Sequence, residues 1–361
     1  MQDSRLKIAG LVALGLLLIA GTSGVIAWKV KDVIDSSPPA PAADVQTQPP
    51  QPAAGQPVLF TTSGNTLTIP DPANRPQIDA RNLRTLALAM HNYHDAHRVL
   101  PPGMFNYLGN DIDSVTQPDG SVGPKGPARS CWMQQILPYV DQQNLYNAMP
   151  FDSNTQAYMW GRTFGTPIWT IVPVLMCPSD PASPKNVTDM GTGPEDSEGF
   201  HGNMVMCAAS TAFGISDHVS IDGTPTGDKL DGMFYALSST TFSNVTDGLS
   251  NTVMGSELIL TQDLHGPKSA QGNGYRDNRG RYYNCHRMVA MFSTLYPPNT
   301  TVPDDVDYCL PNPMAPCRQS FVGDNKVQFA RSYHPGGVNV VMGDGSLRFI
   351  SDNVSTETFR A

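Results

Sequence analysis

The sequence predicts an α+β head, an N-terminal helix packed on an antiparallel sheet, preceded by one transmembrane helix. Three observations predict it. An uncharged apolar run opens the chain, one strongly periodic helical segment follows a Pro-rich stretch, and the remainder breaks into short β-prone runs divided by turns. Helix first and strands afterwards is the order of an α+β domain, not of alternating βαβ units. Gly and Pro each number 32 in 361 residues, more than a helical bundle tolerates.

The anchor and its flanks occupy 1–35. From Ile8 to Trp28 run 21 residues without a charge, enough for a helix at about 1.5 Å per residue to cross a hydrocarbon core of roughly 30 Å. Arg5 and Lys7 favour a cytoplasmic N-terminus, and Trp28, Lys29 and Lys31 suit the far interface. The competing reading is a cleaved signal peptide cut near Gly21–Gly24, but the apolar run continues through Val25, Ile26 and Ala27. Both readings export the head, and the first places it outside an inner membrane, periplasmic or extracellular, on a single-pass anchor. Residues 36–57 are rich in Pro, Ala and Gln, with too few apolar side chains to offset folding entropy, and read as an extended linker.

The head spans 58–361. Residues 58–69 alternate about Ser63-Gly64-Asn65 as a short hairpin. Leu83, Leu86, Ala87, Met90, Tyr93 and His94 then recur at three-and-four spacing, with Asp79 the expected N-cap and Pro101-Pro102 past the end. A second helix is expected over Ser130–Met149, kinked at Pro138. Short strands are expected at 172–176, 204–208, 232–236, 252–260 and 338–342, and Asp-Gly pairs begin at Asp119, Asp222, Asp231, Asp247 and Asp344 as tight-turn signals.

Six sequence blocks carry a family resemblance. They are LRTLALAMHNYHDAHRVLPPG, WMQQILPYVDQQNLYN, LMCPSDP, FSNVTDGLSNTVMGSE, MFSTLYPPNT and YHPGGVNVVMGDGSLRFIS. Together they resemble domain of unknown function 1559, marked by a prepilin-type N-terminus and a C-terminal His, nine residues, then Asp-Gly. Those positions are His334, Asp344 and Gly345. The resemblance implies a pilin- or pseudopilin-like head with long loop insertions, in a cell envelope, and no established biochemical activity. The family's Gly-Phe-Thr-Leu leader and its Glu are absent here. Gly10-Leu11-Val12-Ala13-Leu14 is followed by no acidic residue until Asp32, so the anchor is of a non-prepilin kind.

Sites of chemistry are few. No G-x-S-x-G elbow, phosphate-binding loop or H-E-x-x-H occurs, so no catalytic, cofactor-binding or metal-ligating residue is assigned and the chain reads as non-enzymatic. His334 and Asp344 would stand at opposite ends of one strand, roughly 30 Å apart if fully extended, too far for a catalytic pair, and both read as structural. His91, His94 and His97 step by three and fan round the helix rather than converge. The acidic loops Asp304-Asp305-Val306-Asp307 and Asp217, Asp222, Asp228 and Asp231 could supply oxygen ligands to calcium, neither with EF-hand spacing. Six cysteines lack any C-x-x-C pair, and beyond a membrane they suggest disulfides. Cys177 with Cys207, and Cys309 with Cys317, are the expected bridges.

A net charge of -9 argues against nucleic acid as a partner. Envelope or secretion proteins are the expected partners. The alternative function is an extracytoplasmic module that captures glycan or peptide, on an aromatic platform of Trp132, Tyr158, Trp160 and Trp169.

Overall fold

The computed structural model describes residues 62–63, 66–67, 75–104, 130–149, 166–187, 198–213, 230–236, 238–264, 276–283, 285, 289–319 and 326–360. All of these belong to a compact unit, Val58–Ala361. The segment 8–28, the linker 36–57, Tyr158, Trp160 and the acidic positions 217, 222 and 228 lie outside the described residues.

The dominant helix is α1, Arg75–His97. Pro76 sits in its first turn, where a missing N–H costs nothing. The apolar stripe buries Leu83, Leu86, Ala87, Met90 and Tyr93, each large side chain contributing about 1.5–3 kcal/mol. The helix stops at Arg98, whose φ of 64° is left-handed and whose N–H reaches the His94 carbonyl at 2.7 Å. Asp79 is not the N-cap. Helix α1 starts one turn earlier, and Asp79 is a buried residue inside it.

The expected helix over 130–149 is broken into three pieces. They are α2 (Trp132–Ile136), a 3-10 turn (Leu137–Val140) and α3 (Gln143–Asn147). Pro138 tightens the middle piece and Asp141, at φ 59°, ends it.

A two-residue hairpin, β1 (Thr62–Ser63) and β2 (Thr66–Leu67), opens the described head. Strands β3 (Lys185–Val187) and β4 (Gly199–His201) form one small pair. The main sheet uses β5 (Met204–Ala209), β6 (Val253–Glu257), β7 (Met291–Ser293), β10 (Gly337–Met342) and β11 (Leu347–Ser351), in the order β11-β10-β6-β5-β7. Strands β8 (Asp304–Val306) and β9 (Cys317–Gln319) pair apart from it, and a last short helix, α4, covers Thr356–Arg360.

The expected fold class is corrected on two counts. The main sheet is mixed, because β5 and β7 run parallel, and so do β8 and β9. The molecule is a mixed α/β arrangement, mostly sheet with few helices. Among the described residues no helix is long and apolar enough to cross a membrane. Two expected strands also fail. Residues 172–176 hold a 3-10 turn at Pro173–Leu175, where a proline begins the turn. Residues 232–236 are irregular, with Gly232 so close to Ala208 that a Cβ would lie 2.3 Å from its carbonyl carbon.

Alternation along the strands divides the core. Met204 and Met206 of β5, Met254 of β6 and Val341 of β10 meet the α1 stripe on one face. Val205, Cys207, Val338, Val340 and Met342 point to the other, where Phe359 of α4 covers them. The sheet therefore has a thick face under α1 and a thinner one under the C-terminus.

Candidate functional site

Four segments distant in sequence converge at the start of α1. Asp79 comes from its first turns, Cys177 from the loop after Leu175, Glu257 ends β6, and His334 precedes β10. One donor atom from each lies within 4.8 Å of all the others, and all four residues are buried. His334 Nε2 sits 3.1 Å from Asp79 Oδ2 and 3.3 Å from Glu257 Oε1. Both are ion-pair contacts, yet His334 Nε2, Asp79 Oδ1 and Glu257 Oε2 are each left without a hydrogen-bond partner. Unsatisfied polar atoms at this depth are costly and uncommon.

Surrounding groups fix the donors in place. Ser179 Oγ donates to Asp79 Oδ2 at 2.8 Å. Asn339 donates to Glu257 Oε1 from its backbone N–H at 3.0 Å and its amide at 3.3 Å. The Cys177 N–H donates to Asn203 Oδ1 at 2.8 Å, and the His334 N–H to Ser332 Oγ at 3.0 Å. Burial raises the Asp79 carboxyl above its ordinary value, and the Glu257 charge adds to this against the lowering influence of His334, Ser179 and Cys177. For His334, burial pulls downward, but Asp79 and Glu257 outweigh it and lift the imidazole to about 10. Burial, then the charges of Glu257, Asp79 and Asp180, pushes the Cys177 thiol well up.

The motif residues are thereby separated. His334 is in the buried cluster, its Nε2 facing Asp79 and Glu257. Asp344 is exposed in the β10–β11 turn, its Oδ1 accepting the Ser346 N–H at 2.8 Å, and the Ser346 side chain first and its N–H second hold the carboxyl below the usual range. Gly345 follows at φ 80°, a conformation that suits glycine. This turn borders an open groove of about 460 Å³, lined by Asp344 and Gly345 and by Arg81, Arg84, Leu88 and His91 of α1. His91 Nε2 lies 2.9 Å from the Gly343 carbonyl and ties helix to turn. Leu88 is 62% exposed there.

The three histidines of α1 do not converge. While His91 meets the turn, the ring of His94 stacks on Phe242 at 3.9 Å and that of His97 on Tyr93 at 4.2 Å. Of the aromatic platform, Trp132 is fully buried, donating from Nε1 to the Ala290 carbonyl at 3.1 Å, and is lost to any surface.

The acidic run at 304–307 is paired with basic side chains. Asp304 binds Arg279 and Arg331, Asp305 pairs with Arg318, and Asp307 with Lys326 at 3.4 Å. Asp231 is bound to Ser210.

Cys309 and Cys317 form the expected disulfide, with Cα atoms 6.3 Å apart. Cys177 and Cys207 do not bond. Strand alternation turns Cys207 to the thin face of the sheet, whereas Cys177 belongs to the thick one. Sequence reasoning missed Asp79, Cys177 and Glu257 as partners of His334. The one available signal was an acidic residue at a helix position expected to face the core.

The molecule is thus of a class defined by a mixed sheet under one long helix, with clusters of buried charged side chains beside the sheet. The chain belongs to the family described as "Protein of unknown function (DUF1559)", whose model matches residues 80–357. No curated protein and no solved structure matches it.

Proposed function

We propose that the chain is a non-enzymatic, membrane-anchored cell-envelope protein whose head engages another envelope or secretion component through the groove beside the Asp344-Gly345 turn. The observation that carries this reading is the groove itself. It presents Arg81, Arg84 and an exposed Leu88 next to the family motif's own turn, a combination suited to a partner segment with acidic and apolar side chains. The uncharged segment 8–28 supports a membrane anchor, and a Cys309–Cys317 bridge supports an oxidising compartment outside the cytoplasm.

The test is crosslinking in cells with the tagged full-length protein, comparing the native chain with Leu88→Asp and Arg84→Glu. Both positions are exposed, so stability should change by no more than about 0.5 kcal/mol. Secretion or surface-assembly proteins should crosslink to the native head and be lost with either substitution. Self-links alone, or partners indifferent to both substitutions, contradict the reading.

A further inference from the structure

We propose that Asp79, Cys177, Glu257 and His334 form a closed structural zinc site that ties the start of α1 to β6, β10 and the loop after Leu175. The proposal stands independently of the groove. Its first support is the donor set. One imidazole nitrogen, one sulfur and two carboxylate oxygens suit Zn²⁺ in tetrahedral coordination. Calcium and magnesium prefer more numerous, all-oxygen ligands. Its second support is spacing. Zinc bonds of about 2.0–2.1 Å to nitrogen and oxygen imply donors roughly 3.3 Å apart in a tetrahedron. His334 Nε2 stands 3.1 and 3.3 Å from its two carboxylate oxygens.

The third support is what the protein alone leaves undone. His334 Nε2, Asp79 Oδ1 and Glu257 Oε2 have no hydrogen-bond partner although each is buried. His334 is 6% exposed, Glu257 and Asp79 0%. A divalent cation supplies the missing partner for the ring nitrogen and compensates both carboxylates. The hydrogen bonds from Ser179 to Asp79 and from Asn339 to Glu257 orient the carboxylates as outer-shell groups do around metals. All four donors are buried, so the site keeps no open position for water or substrate, which is the mark of a structural ion. Binding would release the thiol proton of Cys177 to solvent, with the sulfur bound as thiolate and His334 bound through the lone pair of Nε2.

The experiment uses the full-length chain, purified without chelator or a histidine tag, and measures metal content and cobalt exchange. Close to one equivalent of zinc per chain is expected. Replacing it with Co²⁺ should give the visible bands of tetrahedral cobalt and a thiolate-to-cobalt charge-transfer band, the latter lost in Cys177→Ser. If Cys177→Ser does not fold, the cobalt spectrum of the native chain decides alone. Absence of the charge-transfer band overturns the assignment. So does failure of the chain to take up either metal, or stoichiometric zinc retained unchanged in both Cys177→Ser and His334→Asn.

Discussion

Two buried charged clusters lie in the same head and differ in one respect, whether the chain itself supplies every partner. The first joins Arg279, Asp277, Asp304 and Arg331. Two guanidinium groups face two carboxylates, so the formal charges cancel. Arg279 donates to Asp277 at 2.7 Å and to Asp304 at 3.0 Å, then to the carbonyls of Ala315 and Leu310. Arg331 donates to Asp304 at 3.1 Å and to the carbonyls of Thr300 and Val302. None of their side-chain atoms is left without a partner. The second cluster sets two carboxylates and a thiol about one imidazole, and three of its atoms are unpartnered. A buried ion pair is retained when geometry and extra hydrogen bonds offset desolvation. The arginine network meets that condition with protein groups, whereas the histidine cluster has two ion pairs and three unpartnered atoms, which the proposed cation would compensate.

The largest expected effect breaks the complete cluster. Asp304→Ala would leave Arg279 and Arg331 without their shared carboxylate, costing about 3–5 kcal/mol. Urea unfolding should show that loss equally with and without a strong zinc chelator. Next comes the incomplete cluster. With free zinc about a hundredfold above its dissociation constant, the ion adds roughly 2.7 kcal/mol. Chelation should remove that increment from the native chain and leave Asp79→Asn unchanged. Equal responses of the two proteins would erase the distinction between the clusters.

A graded effect of pH sharpens the comparison from the side of the paired carboxylates. Burial pushes Glu198 up, but the charges of Arg281, Arg276 and Lys185 outweigh it and hold the carboxyl below its ordinary 4.5. Burial likewise raises Asp277, and Arg279 outweighs it, below an ordinary 3.8. Depressed folded values mean stabilisation that is full above the ordinary range and is lost as pH falls through the depressed values. Stability followed by denaturant titration should therefore decline below about pH 4. A flat profile through that window would mean that these carboxylates are not held by their arginines. The smallest effect lies at a turn, away from any buried charge. Gly345→Ala at φ 80° should cost about 1 kcal/mol, visible as a small fall in Tm.

Local pattern was legible where one element carried a strong signal of its own, though not at 130–149, 172–176 or 232–236. The α1 stripe is periodic within a single segment, and it is buried as that period requires. The Asp344-Gly345 turn sits between β10 and β11, whose register runs from Gly337 opposite Ser351 to Val341 opposite Leu347. Cys309 and Cys317 are separated by eight positions, short enough to pair on proximity. The parallel β5–β7 pairing was not legible, because it joins residues about eighty positions apart with no intervening crossover helix in the pattern. Nor was the candidate site. Asp79 and His334 are 255 positions apart, and only the folding of α1 against β6 and β10 brings their side chains together. Cys177 was misassigned because the sequence could not show which face of the sheet Cys207 would take.

The most direct test is a crystal structure of the head with anomalous scattering measured across the zinc edge. The account predicts a single strong peak about 2.0–2.3 Å from His334 Nε2 and Cys177 Sγ, with none among Arg279, Asp277, Asp304 and Arg331. No peak in the histidine cluster, with the His334 ring hydrogen-bonded directly to Asp79 or Glu257, would contradict it.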